Sequence, residues 1–296
     1  MIVAGFFLFR FARTYARDLS DTHFDIDALG IAAASAIWLA SYAFLVRLWA
    51  ASLTWWGARV GLTSALRVFA AANLARYIPG LVWQFASLAV MSASSGLSVV
   101  SVTSAAVLQQ VVLASVGLIL GLAFAPLTRL GAWSTPVPTM LAIVIAALAA
   151  LVLLLPRMTR TIDEWLSRRG RTSLTLPRVR RRDIAEYVVL SALGWVGYAV
   201  AFVIFANATF EPMPVNPVVL GASFVLSYVA GILAVFAPGG LVVREAALVA
   251  LIGPVLGGEQ ALALAIAARL WVTVIDAVLS AVMLIRPTRS ADTRLP

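Results

Sequence analysis

The sequence predicts an all-α integral membrane protein, a polytopic helical bundle with an inverted repeat and two broken hairpins. Of its 296 residues, 62% are hydrophobic and only 12% are charged, whereas about a quarter of the residues in an average soluble domain are charged. The apolar residues form long stretches, and about 20 consecutive apolar residues cross a bilayer as a helix. We therefore expect a single transmembrane domain over residues 1–296.

Five uninterrupted apolar stretches predict membrane-spanning helices. They cover residues 28–51, 99–125, 139–155, 184–206 and 261–285. The stretch 139–155 is the shortest of the five, and Pro156 follows it directly. We expect Pro156 to end this helix, because proline lacks a backbone donor and its ring clashes with the preceding turn.

Two further apolar regions are each interrupted near the middle. The region 63–95 contains Pro79 and Gly80, and the region 218–256 contains the sequence Pro238-Gly239-Gly240. Proline and glycine both weaken a helix, so each region predicts two helices joined by a bend inside the membrane. The sequence leaves open whether each arm spans the bilayer or re-enters on the side from which it came.

Composition excludes several classes of function. The chain has no cysteine and one histidine, which excludes disulfides, thiol catalysis and a metal site built from several histidines. All 22 basic residues are arginine, so the lysine of a P-loop and a Schiff-base lysine are both absent. We expect no catalytic residue, no metal, no cofactor and no nucleic-acid partner.

Arginine also predicts the orientation of the chain. Between Pro156 and Asp183, nine arginines stand against three acidic residues, a net charge of +6. Positive loops stay in the cytoplasm, so 156–183 is expected to be a cytoplasmic basic loop, with the C-terminus on the same side. Arginine without lysine, together with abundant alanine, indicates a bacterial source. We therefore expect a multi-pass protein of the bacterial cytoplasmic membrane.

The order of these elements repeats along the chain. A long helix, a broken hairpin and a second long helix occupy repeat A at 28–125 and repeat B at 184–285, with the linking helix 139–155 between them. One intervening crossing inverts the second copy, which is the plan of many transporters, with a binding site near the midplane. Helices that begin after the two breaks would point amide groups and positive dipole ends there, an arrangement that favours phosphate.

Charged residues within the apolar stretches also predict a binding site near the midplane. A charge at the bilayer centre costs at least ~2.5–3.5 kcal/mol, so it usually contacts a cavity or a partner. Three arginines and two carboxylates lie near the breaks or on the last helix, and together they predict a net-positive pocket suited to phosphate. The predicted headgroup site comprises Arg76, Pro79, Gly80, Gln84, Gly239, Gly240, Arg244, Glu245, Arg269 and Asp276.

A structural alternative stays open for these charges. Arg244 could pair with Asp276, and Arg269 with Glu245, only to hold helices together. The proline–glycine breaks could in the same way only shape packing.

Other features predict packing. Gln109 and Gln110 could extend the headgroup pocket, although such glutamines more often bond across helices, and Gly117 with Gly121 predicts a close-packed helix face.

The segments around the two breaks resemble one known family. Residues 75–83 read Ala-Arg-Tyr-Ile-Pro-Gly-Leu-Val-Trp and resemble its K-Y-I-P-G-x-V-W segment. Residues 237–246 read Ala-Pro-Gly-Gly-Leu-Val-Val-Arg-Glu-Ala and resemble its P-G-G-L-G-V-R-E-A signature. The family is the lysylphosphatidylglycerol synthase transmembrane region, the flippase half of the multiple peptide resistance factor. Val242 stands where the family often has glycine, and Arg76 where lysine is common.

The resemblance, which covers roughly residues 28–285, implies lipid translocation. The substrate would be an aminoacylated or otherwise modified phospholipid, or a polyprenyl-phosphate-linked sugar. Only residues 286–296 follow the last span, so we expect a stand-alone form without the synthase domain, and a transporter rather than an enzyme. Expected partners are the lipid substrate, anionic lipids at the arginine-rich loop, and a lipid- or glycan-synthesis enzyme.

Two other functions stay open. The chain could be a non-catalytic membrane partner of a lipid or glycan synthase. It could also be a membrane-embedded transferase acting on a lipid phosphate, with Glu245 or Asp276 as general base.

Overall fold

The computed structural model describes residues 26–75, 98–125, 136–168, 177–210, 213–234 and 237–285. These residues form eight α-helices and no β-strand. The helices are α1 (Ala28–Ser52), α2 (Leu62–Ala75), α3 (Val99–Phe124), α4 (Pro136–Arg168), α5 (Arg181–Thr209), α6 (Pro217–Leu233), α7 (Val243–Leu256) and α8 (Gly258–Ile285). Short 3-10 turns lie at Leu53–Trp56, directly after α1, and at Pro238–Gly240, shortly before α7.

Five of these helices, α1, α3, α4, α5 and α8, are long and apolar enough to cross a membrane. Each of them covers one of the five stretches predicted from hydropathy, except that α3 ends at Phe124, one residue before the predicted end. The all-α, multi-pass membrane class is therefore confirmed.

The predicted end of the linking helix at Pro156 is wrong. Helix α4 continues through Pro156 to Arg168, so the basic segment 156–183 is helical over its first part. A proline removes only one helical hydrogen bond, and membrane helices tolerate that loss. Beyond Pro156, Thr159 Oγ1 donates to the Pro156 carbonyl at 3.3 Å, and Thr161 Oγ1 donates to the Arg157 carbonyl at 3.0 Å.

Helices α1 and α5 pack antiparallel along their lengths. At one end, the backbone amide of Asp27 donates to the Ala208 carbonyl at 2.8 Å. At the other end, the Arg178 amide donates to the Trp55 carbonyl at 2.7 Å. The start of α1 and the end of α5 therefore lie on the same side of the molecule.

Small residues allow close packing of α3 against α6, as the sequence predicts. A Cβ added to Gly117 would lie 2.5 Å from Val229 Cγ2, and one added to Gly121 would lie 2.7 Å from Leu226 Cβ. Gln109 on α3 donates from Nε2 to the Leu45 carbonyl of α1 at 2.9 Å, which confirms its expected role between helices.

The core lies where α1, α5, α6 and α8 meet. Its fully buried large side chains include Trp38 of α1, Phe202 of α5, Phe224 of α6 and Ile266 of α8. Aromatic rings dominate this region, and they surround the end of the second broken hairpin.

Candidate functional site

The predicted break in the second hairpin is confirmed. Helix α6 ends at Leu233, and α7 begins at Val243, shortly after Pro238-Gly239-Gly240. Between them, Gly239 and Gly240 have φ values of 55° and 69°. Glycine reaches this left-handed region readily, because it has no Cβ.

The two arms of the hairpin approach each other backbone to backbone. A Cβ on Gly240 would lie 2.7 Å from Gly231 Cα, closer than a real Cβ approaches another atom. An added Cβ on Gly231 would in turn lie 3.2 Å from Arg244 Cβ. The glycines of the signature therefore place Arg244 directly against α6.

Helix α7 begins without a side-chain cap. Its N-cap residue is Val242, which makes no side-chain hydrogen bond to the first turn. The first amide groups of a helix have no acceptor within the helix, and the helix dipole is positive at that end. The N-terminus of α7 is therefore suited to an anionic group.

Arg244 lies in the first turn of α7 and is only 7% exposed. Its guanidinium carbon is 4.2 Å from the ring centroid of Tyr228 and 4.9 Å from that of Phe224, both on α6. These are cation–π distances. Stacking of this kind covers the planar surface of the guanidinium, whereas its N–H groups donate within the plane.

The rings beneath Arg244 belong to an aromatic cluster that connects α1, α5, α6 and α8. Tyr228 is stacked on Tyr198 with ring centroids 6.5 Å apart, and Trp195 meets it edge-on at 5.6 Å. Tyr198 in turn contacts Trp38 at 4.3 Å, and Trp38 contacts Trp271 at 5.2 Å.

Sequence reasoning missed this cluster. The available signal was the spacing of four residues between Phe224 and Tyr228, and of three between Trp195 and Tyr198, which puts each pair on one helix surface.

Arg269 connects α8 to the hairpin. Its Nη1 donates to the Gly239 carbonyl at 3.0 Å and lies 3.7 Å from Glu245 Oε1. The pairing of Arg269 with Glu245 that the structural alternative predicts is therefore present. Arg269 holds the break and the first turn of α7 against the middle of α8.

Among the described residues, Arg269 is the charged partner of Glu245. Glu245 is 6% exposed, and among the described residues neither Oε1 nor Oε2 accepts a hydrogen bond. Burying a carboxylate in this way is costly unless donors reach it. Both oxygens are therefore suited to a ligand that carries N–H or O–H groups.

A polar stripe follows Arg269 along α8. Thr273, Asp276 and Ser280 follow Arg269 at successive intervals of four, three and four residues, so all four share one helix surface. Each is at most 6% exposed. The side chain of Asp276 therefore lies in the protein interior, two helical turns from Arg269 and on the same surface of α8.

Helix α2 lies antiparallel to this part of α8. Arg67 Nε donates to the Met283 carbonyl at 3.0 Å, and Ser280 Oγ donates to the Ala70 carbonyl at 3.0 Å. Continuing the same register brings the end of α2 at Ala75 to the level of Asp276.

The first break lies outside the described residues. This applies to four predicted site residues: Arg76, Pro79, Gly80 and Gln84. The four charged site residues that the structure describes, Arg244, Glu245, Arg269 and Asp276, have formal charges that sum to zero. The predicted positive excess therefore depends on Arg76.

These features define a polytopic, all-α membrane protein with a broken hairpin that contributes buried charges to its interior. The chain belongs to the family described as the lysylphosphatidylglycerol synthase transmembrane region, whose model matches residues 1–280. Among proteins with curated descriptions, none matches the chain. The family membership confirms the resemblance of the two signature segments and relates the chain to membrane proteins of lysylphosphatidylglycerol synthesis and flipping.

Proposed function

We propose that this chain translocates a phosphate-containing lipid across the bacterial cytoplasmic membrane, as a transporter rather than an enzyme. The observation that carries the proposal is the uncapped N-terminus of α7, with the buried guanidinium of Arg244 in its first turn. Amide groups, a positive helix end and a planar cation together form the chemistry that recognises phosphate.

The depth of this site supports the proposal. Helices α6 and α7 have 17 and 14 residues, each fewer than the ~20 needed to cross the hydrocarbon core. Arg269, which contacts the break, lies 11 residues after the start of α8 and 16 before its end. These lengths support a second hairpin that re-enters, and we infer that its bend lies close to the midplane.

The pattern of helix contacts supports the inverted repeat. A two-fold axis in the membrane plane would exchange α1 with α5, α2 with α6, and α3 with α8. This axis would also exchange contacts between helices in pairs: α1–α2 with α5–α6, α2–α8 with α6–α3, and α1–α3 with α5–α8. All six of these contacts are present in the structure. The antiparallel α1 and α5 are the first helices of repeats A and B.

In this mechanism the lipid phosphate binds the first turn of α7 and the N–H groups of Arg244, while its tails stay in the bilayer. The phosphate then gives Arg269 an acceptor besides the Gly239 carbonyl, and the Glu245 carboxylate accepts from an amine or hydroxyl of the headgroup. Movement of repeat A against repeat B opens the site to each leaflet in turn, as in other transporters with inverted repeats.

The headgroup chemistry admits two substrate classes, which differ in what surrounds the phosphate. A modified or aminoacylated phospholipid brings an amine to Glu245. A polyprenyl-phosphate-linked sugar brings hydroxyl groups to the same oxygens. Transfer assays with one labelled lipid of each class distinguish them.

The test is lipid transfer in proteoliposomes, measured with a fluorescent lipid that a membrane-impermeant quencher reaches only in the outer leaflet. Arg244→Ala is expected to slow transfer at least about tenfold, since a hydrogen bond to a charged group contributes about 1.5–3 kcal/mol. Arg182→Ala is the matched control, because Arg182 is exposed at the start of α5.

Equal rates for the wild type and Arg244→Ala, both above protein-free vesicles, would make the site assignment wrong. A wild-type rate equal to that of protein-free vesicles, with both lipids, would contradict translocation itself. In that case, stable co-purification with a synthase, or product formed from a supplied donor, would favour the two other functions.

A further inference from the structure

The end of α4 extends beyond what a membrane crossing needs. Helix α4 has 33 residues, about 50 Å at 1.5 Å per residue, while the hydrocarbon core is about 30 Å thick. The last residues of the helix therefore lie in the headgroup layer or beyond it. Residues 157–168 are here called the α4 extension.

The α4 extension is amphipathic. Met158, Ile162 and Trp165 are 57%, 39% and 50% exposed, and their spacing of four and three residues puts them on one surface of the helix. Arg160 and Glu164 are exposed on the opposite side. Such a separation of apolar and charged side chains is typical of helices that lie at a membrane surface.

The apolar surface of the extension is exposed in the part of the chain that the structure describes. Helix α4 contacts α3 and α5, and Thr159 of the extension is buried. At 100° per residue, Thr159 lies about a quarter turn from Met158. Among the described side chains of the extension, Thr159 thus marks the side that packs inward, and the exposed stripe of Met158, Ile162 and Trp165 continues the exposed surface of the span.

The charges near the stripe indicate which kind of membrane surface the extension binds. Arg157 and Arg160 are exposed at its start and Arg168 at its end, within a segment, 156–183, of net charge +6. Each arginine close to an anionic leaflet contributes about 1 kcal/mol of attraction.

We propose that the α4 extension lies in the headgroup layer of a leaflet rich in anionic lipids. Met158, Ile162 and Trp165 insert at the acyl boundary, and the three arginines bind lipid phosphates. This anchoring does not depend on the proposed translocation.

The test is site-directed spin labelling of the full chain in vesicles. The sequence has no cysteine, so each introduced cysteine is labelled uniquely. Ile162→Cys and Met158→Cys report the apolar surface, and Arg160→Cys and Glu164→Cys are the matched controls on the polar side. Collisions with oxygen, which concentrates in lipid, are compared with collisions with a water-soluble nickel chelate.

In vesicles of phosphatidylglycerol and phosphatidylcholine, the oxygen-to-nickel ratio is expected to be severalfold higher on the apolar surface. Phosphatidylcholine alone should reduce this difference. Arg157→Gln in the Ile162→Cys protein should weaken binding of the α4 extension to the anionic headgroup layer about fivefold, since about 1 kcal/mol is lost.

Three outcomes overturn the proposal. The ratio could be equal on the two surfaces, which places the extension in water. Both reagents could be excluded from Ile162→Cys, which means that a second copy or another protein covers the surface. The difference in ratio between the two surfaces could be unchanged in phosphatidylcholine alone, which would mean that anionic lipid has no role.

Discussion

At the scale of single residues, Val242 has the least favourable backbone conformation in the described chain. Its φ of 70° makes it the one non-glycine residue there with a positive φ, and a β-branched side chain fits that region poorly. The side chain is 68% exposed, so no buried contact compensates for the strain. A glycine, as in the P-G-G-L-G-V-R-E-A signature that this segment resembles, would adopt this conformation without strain.

Val242→Gly is therefore expected to stabilise the protein. Strain of this kind costs of order 1–3 kcal/mol, which exceeds the 0.5–1 kcal/mol that glycine costs in conformational entropy. The midpoint of thermal unfolding in detergent should rise by about 2 °C or more. Val242→Ala keeps the Cβ and should change little. A lower midpoint for the glycine variant would contradict the backbone strain.

Tyr228 is expected to be a positioning residue for Arg244. Tyr228→Leu removes a cation–π contact worth about 0.5–2 kcal/mol and should slow lipid transfer between about twofold and thirtyfold. Tyr228→Phe keeps the ring and should retain the rate. In an Arg244→Ala background, Tyr228→Leu should have no further effect. An equal loss in both backgrounds would mean that the ring has only a general packing role.

At the scale of elements, helix ends were harder to predict than helices. Pro156 was expected to end the linking helix, but the favourable amphipathic sequence that follows continues α4 to Arg168. The break at Pro238–Gly240 was predicted correctly, since two glycines there adopt positive φ and proline alone does not require that. A proline is therefore a weaker end signal in a membrane helix than a proline followed by glycines.

The contact between α3 and α6 depends on glycine. In Gly121→Ala the new Cβ would lie 2.7 Å from Leu226 Cβ and 3.1 Å from Leu226 Cα, and overpacking typically costs 1–3 kcal/mol. The unfolding midpoint should fall accordingly. Gly258→Ala is the control, because no atom lies within 4 Å of a Cβ added there. Equal midpoints for the two variants would show that the helices separate without cost.

At the scale of the whole molecule, the antiparallel pairing of α1 and α5 predicts which loops share a side. Thr54 and Arg178 lie at one end of this pair and Asn207 at the other, and all three are exposed. From the positive-inside rule we predict that the first end is cytoplasmic.

Single cysteines check this orientation without background, since the chain has none. An impermeant maleimide added outside intact cells should label Asn207→Cys and leave Thr54→Cys and Arg178→Cys unlabelled until the cells are lysed. The reverse pattern would invert the topology. Labelling of Thr54→Cys and Arg178→Cys from opposite sides would contradict the helix pairing itself.

Hydropathy alone was enough to predict the membrane class and five spans, because a stretch of about 20 apolar residues partitions into lipid regardless of its neighbours. The same holds for the second break, where proline and glycine act on the local backbone. The partners of the buried charges could not be predicted in this way. Arg244 stacks on Tyr228, and Arg269 binds the Gly239 carbonyl, because packing brings separate helices together. Only the tertiary arrangement decides which side chains a guanidinium meets inside the bilayer.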